Sequence, residues 1–457
     1  MKSAETLFPL PLTIFEQYMY LDSHPNYPMD SFRRLNINGI INRAAFQSAL
    51  NLAIERHPLF ACKVEKSPRG TLQWVFAEKA NEICWKRYSD ADVFTQSGFP
   101  QAEPLDLSAQ PGLKAYVLED DTEKKTQILF QFHHSASDGT GEMQFLRDLI
   151  TLYGKETEVI AADVPAPILD SAVLLRRGRL GWTLPRYIWF GLSTAFTTWQ
   201  ILGKRVQTLV PPVRNAPISK NGVRLEYPQI RTLDYSIEQT AQYAKKAKQA
   251  GVTVNDLLLA DFARAIHLWR QERDVPRISG SLRLSVPMNL RNALHENMPA
   301  GNVVTMVFVD TDPSAVNSPD ALVQSMHRKM NWIKTRDQKF VLDLFLKAGN
   351  FLGRLVGGDL SLFLRSSNAR STACLSNLGR VLETVPLPRN EHRRILLSDA
   401  VLDSVDAAPP IRPGTALSLS ALTYGSALRF CLRFDDSVIT NKDADRILDL
   451  AWNDSHC

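Results

Sequence analysis

Apolar residues recur along this chain at helical and strand-like spacings by turns, and they mark out alternating elements. Phe46, Ala49, Leu50, Ala53 and Ile54 fall on one helical face. Asn42 is placed to cap that helix. His57-Pro58 stops it, because the residue before proline avoids the helical region. Thr126 to Phe132 reads as a strand, and its mixed faces imply partial burial. Glu142 to Tyr153 reads as a helix with Leu146, Leu149, Ile150 and Tyr153 along one side. Ser236 with Gln239 makes a capping box, and Gly251 closes the helix that follows. A further helix runs from near Asn255 to about Arg273. Ser281 to Val286 alternates as a strand, and the β-branched run Val303 to Val309 predicts a central strand. Ser318 to Thr335 is helical. Residues 371–376, 415–423 and 427–434 predict strands, and a helix ends the chain. Strands alternating with helices predict a mixed α/β fold. No short-period repeat is present.

Composition narrows the class. With 457 residues the chain can bury a real core in two or three domains, or in two lobes of one unit. An apolar fraction of 44% and a charged fraction of 22% are ordinary globular values. They exclude a disordered chain, a collagen-like repeat and a polytopic membrane protein. The formal net charge of +5 is too mild to argue for nucleic acid. Five cysteines, Cys62, Cys84, Cys374, Cys431 and Cys457, contain no CxxC pair, so neither a disulfide framework nor a zinc knuckle is expected. The opening residues hold no apolar signal core. A reducing, cytoplasmic setting is the expectation.

The charge is unevenly placed. Residues 171–225 hold nine bases and no acid, whereas the remainder holds 44 bases and 48 acids. This segment also contains Trp182, Trp189 and Trp199. Its uncharged stretch, Tyr187 to Gly203, is slightly short for a spanning helix. A packed crossover with solvated bases explains the pattern, and so does a membrane-surface or acyl-chain lid with cationic ends and interfacial tryptophans.

Of nine histidines, only two are adjacent, in Gln131-Phe132-His133-His134-Ser135-Ala136-Ser137-Asp138-Gly139. They lie between a predicted strand and a predicted helix, where sheet edges form pockets. A neutral imidazole there can act as a general base near neutral pH. Asp138 can hold the loop, and Gly139 permits a tight turn with its N–H toward the site. A structural or exposed histidine pair fits the same residues. A metal reading is weaker, since the usual signatures place two histidines four apart on a helix.

HHSASDG resembles the HHxxxDG signature of the chloramphenicol acetyltransferase-like superfamily, which includes peptide condensation domains and alcohol acetyltransferases. The similarity continues through EQYMYLD at 16–22, NRAAFQSALNLAIERHPLFACKV at 42–64 and GVTVNDLLLADFARAI at 251–266. It extends to LSVPMNLR at 284–291, GNVVTM at 301–306 and SNLG at 376–379. These segments occur in the superfamily's order over nearly the whole chain.

The resemblance implies two stacked α/β lobes with an active-site tunnel between them. Residues 1–165 would form the N-terminal lobe, 166–225 a basic aromatic crossover or lid, and 226–457 the C-terminal lobe. It implies that His134 is the base and His133 shapes the loop. It implies that Asp138 pairs with Arg291 and that Gly139 allows close approach. Ser376 and Asn377 are candidates for oxyanion or tunnel contacts. The implied co-substrate is acyl-CoA, or an acyl-phosphopantetheine on a carrier protein, with no metal and no tightly bound cofactor. The acceptor would be a small or lipid-like alcohol, with an amine also open. The chain lacks the Asp-Phe-Gly-Trp-Gly motif of the plant branch and the full later motifs of condensation domains, so the alcohol acetyltransferase-like branch fits best. A carrier-dependent condensation enzyme and a degenerate membrane or binding scaffold are the alternatives.

Overall fold

The computed structural model describes residues 4–90, 93–181, 206–209, 227–273, 280–311, 315–355, 360 and 371–453. The stretch Tyr187 to Gly203 lies outside the described residues.

The strands are β1 Leu10–Pro11, β2 Asp30–Asn38, β3 Cys62–Lys66, β4 Leu72–Phe76, β5 Ile83–Arg87, β6 Leu113–Asp120, β7 Lys125–His133 and β8 Ile230–Asp234. They continue with β9 Leu282–Asn289, β10 Val304–Thr311, β11 Ala373–Arg380, β12 Leu396–Leu397, β13 Ala400–Ala408, β14 Leu417–Tyr424 and β15 Ala427–Phe434. The helices are α1 Ile14–Asp22, α2 Arg43–Arg56, α3 Gly139–Glu156, α4 Ile237–Gln249, α5 Val254–Glu272, α6 Pro319–Thr335, α7 Val341–Leu355 and α8 Asn441–Leu448.

Two six-stranded mixed sheets dominate, in the orders β12-β13-β2-β7-β6-β5 and β10-β9-β11-β14-β15-β8. Each is the frame of one lobe. In the first, helices α2 and α3 pack on a core whose aromatic centre is Phe60, Phe130, Phe132 and Phe145. In the second, Phe430 stacks on Trp452 with ring centroids 4.1 Å apart, and Phe262 lies beyond. Helices therefore bury apolar stripes against one face of each sheet, the usual layered solution.

Local signals are realised closely. Asn42 caps α2 through its side chain, Ser236 and Gln239 form the capping box of α4, and Gly251 is left-handed at φ +67°. The strand at 303–309 is a correction. It becomes β10 at the edge of the second sheet, not its centre, with every second residue buried. An edge strand needs only one apolar face, and β-branched residues suit both positions.

Sequence order and sheet order part company at the C-terminal side. β12 and β13 join the first sheet, where β13 pairs antiparallel with β2. This exchange brings β13 against β14 and β15 of the second sheet. Buried charge lies at that contact. Asp406 of β13 binds Arg34 of β2 at 2.6 Å and also Arg429 of β15. Burial alone would raise the Asp406 carboxyl, and the two guanidinium groups outweigh it and hold it below its usual range. Asp30 of β2 accepts from Tyr227 at 2.9 Å, while Arg433 of β15 donates to the Asp30 carbonyl at 2.5 Å. Burial pushes the Asp30 carboxyl up to about 6, against its hydrogen bonds from Gln131 and Leu105 and the charge of Arg433.

The basic segment enters the fold with a structural arginine. Arg177 is buried and donates to Glu16 at 2.6 and 2.9 Å, and Trp74 Nε1 shares that carboxylate at 3.1 Å. Arg176 and Arg179 on either side are exposed. No helix among the described residues is long and apolar enough to cross a membrane.

Candidate active site

β7 ends at His133 and α3 begins at Gly139, so the motif spans the strand-to-helix junction. β7 lies between β2 and β6. Its end is pinned on both sides: His133 N donates to Gly112 O at 2.9 Å, and His134 N donates to Met29 O at 2.7 Å.

His134 is half-buried, with 14% of its side chain exposed. Its Nδ1 lies 2.8 Å from the Ser137 carbonyl oxygen. A carbonyl can only accept, so Nδ1 carries the proton and Nε2 keeps its lone pair. The loop thereby selects the tautomer that a general base needs. Asn302 supports it from below, donating from Nδ2 to the His134 carbonyl at 2.7 Å.

His133 is wholly different. It is buried, its Nδ1 accepts from Ser135 N at 3.3 Å, and its Nε2 faces Ser23 Oγ at 3.3 Å. Burial and then the neighbouring His134 push its ring down to about 3. It is neutral at physiological pH and braces the loop from within.

Asp138 caps α3. Oδ1 accepts from Gly141 N at 2.9 Å. Oδ2 accepts from Val303 N at 2.7 Å and from Arg291 Nη1 at 2.8 Å. Arg291 reaches on to the Gly301 carbonyl at 2.8 Å. Burial would raise the Asp138 carboxyl, but the Arg291 charge and these hydrogen bonds hold it below its usual range. The aspartate thus ties the helix start to the segment between β9 and β10. With Asp138 committed to Arg291, the His-His-Asp metal arrangement does not form. Among the described residues, no group of three His, Cys, Asp or Glu could hold a metal ion.

Two glycines are tightly packed, and Gly141 is held against backbone. A methyl at Gly139 would stand 2.9 Å from Leu378 Cδ2 and 3.2 Å from Arg33 Nη2. A methyl at Gly141 would stand 2.2 Å from Ser137 Oγ and 2.9 and 3.0 Å from the Gly301 backbone. The backbone clash has no side-chain escape. Gly141→Ala is expected to cost about 1–3 kcal/mol, read as a lower denaturation midpoint. An unchanged midpoint would show that the 141 and 301 segments separate freely.

Ser376 and Asn377 lie on β11, whose next residue, Leu378, faces Gly139. Ser376 is half-buried. Asn377 is exposed and its Oδ1 accepts from Gly379 N at 2.9 Å, stabilising a bulge in the strand. The Gly139 N–H belongs to the first turn of α3, where amides have no acceptor within the helix.

One acid escaped the sequence reading. Glu142 of α3 is fully buried, with Oε1 3.8 Å from His134 Nδ1. Its signal was present: Glu142 shares the helix face of Leu146 and Leu149, the stripe that packs inward. Asn302 was likewise missed, although it lies within the GNVVTM segment.

No protein-family model matches the chain. An uncharacterized protein of Mycobacterium tuberculosis is 23% identical over 415 residues, covering 88% of this chain and 89% of that protein. A provisionally named diacylglycerol O-acyltransferase of the same organism is 24% identical over 363 residues, 74% of this chain and 71% of that protein. Among solved structures, the first condensation domain of the CDA synthetase aligns with a TM-score of 0.62 at 15% identity, over 99% of this chain and 94% of that one. The starter condensation domain of rhizomide synthetase, a variant in complex with C8-CoA, aligns at 0.63 and 13% identity, over 97% and 94%. The chain therefore has the two-lobed fold of the condensation domains it aligns with.

Proposed function

We propose that this protein transfers an acyl group from a thioester to a hydroxyl or amine, with His134 as the general base. The observation that carries this reading is the His134 ring, locked by the Ser137 carbonyl with Nε2 free to accept a proton. The acceptor loses its proton to Nε2 as its oxygen or nitrogen attacks the thioester carbonyl. The resulting oxyanion needs donors aimed at it, and the Gly139 N–H is the candidate among the first-turn amides. Collapse breaks the C–S bond, and the thiolate takes the proton back from Nε2.

Asp138, Arg291 and His133 then serve the loop that presents His134. No acyl-enzyme is needed. The described cysteines suit that route, since burial raises the thiols of Cys62, Cys374 and Cys431 and pushes Cys84 up to about 11.

Acyl-CoA is the proposed donor, and the alcohol acetyltransferase-like chemistry the proposed reaction. The rhizomide synthetase neighbour bound to C8-CoA supports a CoA thioester. A second reading, with a carrier-protein thioester as donor, is favoured by the condensation-domain neighbours. The test is thiol release from acyl-CoA of chain lengths C2 to C16 with mixed alcohol and amine acceptors. Acceptor-dependent release is expected, and its chain-length profile ranks the donors. Release only from carrier-loaded donors would select the second reading. Silence with both would leave a binding scaffold.

A further inference from the structure

We infer that Glu142 is a positioning residue whose buried carboxylate stabilises the protonated ring of His134. The inference deepens the acyl-transfer reading and rests on it for its catalytic consequence.

A glutamate is costly in this place. It sits on the inward face of α3, wholly shielded from water, where an ionised carboxylate survives only with partners. Two come from β2. Ser31 and Arg33 are two residues apart and so lie on one face of that strand. Ser31 Oγ donates to Glu142 Oε1 at 2.6 Å, and Arg33 Nη2 stands 2.7 Å from Oε2. The oxygens are divided. Arg33 takes Oε2, while Oε1, aimed by the serine, is the one facing the His134 ring at 3.8 Å.

The effect is differential. While His134 is neutral, Glu142 attracts it weakly. Once Nε2 takes the acceptor's proton, the ring is a cation beside a carboxylate shielded from water, and the attraction rises just then. The other charged groups around the ring do not substitute. Arg33 on β2 carries the opposite sign. His133 on β7 is held neutral by burial. Arg291 offsets Asp138 as Arg33 offsets Glu142, but among the described residues only Glu142, at 3.8 Å, brings a carboxylate oxygen into ion-pair range of a His134 ring nitrogen.

The experiment uses the full chain with isotope-labelled histidine, following the His134 ring through a pH titration by NMR. Wild type, Glu142→Gln, Ser31→Ala and the double variant Arg33→Gln/Glu142→Gln are compared, and thiol release is measured against pH on the same samples. In Glu142→Gln the ring's midpoint should fall relative to wild type, because the carboxylate facing it is removed. The acid limb of the rate profile should move down with it, and kcat should fall about three- to tenfold at unchanged KM. Ser31→Ala keeps the charge and should leave the midpoint within a few tenths of a unit. An unmoved midpoint in Glu142→Gln, with the rate lowered equally at every pH, would reduce Glu142 to a brace and overturn the inference. If Arg33 left alone prevents folding, the double variant decides by the same midpoint, which should still fall because the carboxylate faces the ring. A midpoint that moves in a chain releasing no thiol from either acyl-CoA or carrier-loaded donors would sink the acyl-transfer reading and leave the role of Glu142 standing.

Discussion

Replacing His134 with alanine is expected to cut acceptor-dependent thiol release by about 10²–10⁴-fold, the range for removing a positioned general base. The fold should survive, because the side chain is partly exposed and its one hydrogen bond is to the Ser137 carbonyl. KM for the thioester should change little, since the ring acts on the proton and not on the acyl group. The comparison that sharpens the result is His133→Ala. That ring is buried, neutral and engaged at both nitrogens, so its loss should lower stability and disturb the loop without removing the base. Wild-type release from His134→Ala would end the assignment. A far larger loss from His133→Ala at equal stability would move the base to the neighbouring ring.

Asp138→Ala is expected to be the most destabilising single change at the site, at about 3–5 kcal/mol. It strands Arg291 without its anion and leaves the Gly141 and Val303 amides without acceptors. Arg291→Ala should cost a similar amount, and the double variant should cost less than the two together, because the groups act on one another. Chemical denaturation of the four proteins measures this, and strict additivity would refute the coupling. The pH dependence follows from the sign of the shift. The folded-state carboxyl of Asp138 is held below its ordinary 3.8, so its stabilisation is complete above that value. It fades as pH falls toward the depressed value and the native carboxylate protonates. The stability gap between wild type and Asp138→Asn should therefore be full at neutral pH and narrow below about pH 4.

Much of this molecule was legible in its sequence. Caps at Asn42 and Ser236 and the stop at His57-Pro58 depend on contacts within a few residues, and helix spacing is a local property. The HHSASDG loop and its place between strand and helix were visible in short runs of residues, and Arg291 as partner of Asp138 was implied only by the resemblance. Glu142 was visible only as a polar residue on an apolar stripe, a weak signal for a buried acid.

Tertiary structure decided the rest, because the deciding contacts join residues far apart along the chain. Arg291 meets Asp138 across 153 positions and Glu142 meets Ser31 across 111, and no periodicity encodes such separations. Strand partners are likewise a matter of edges and registers. Thus β13 crosses into the first sheet beside β2, and β10 takes an edge where its β-branched residues had suggested a centre. Amino-acid sequence determines which side chains are offered at the β7–α3 junction and what chemistry they can perform. Packing within and between the lobes determines which charges are buried beside them, and burial is what turns an aspartate into a clasp and a glutamate into a neighbour of the base.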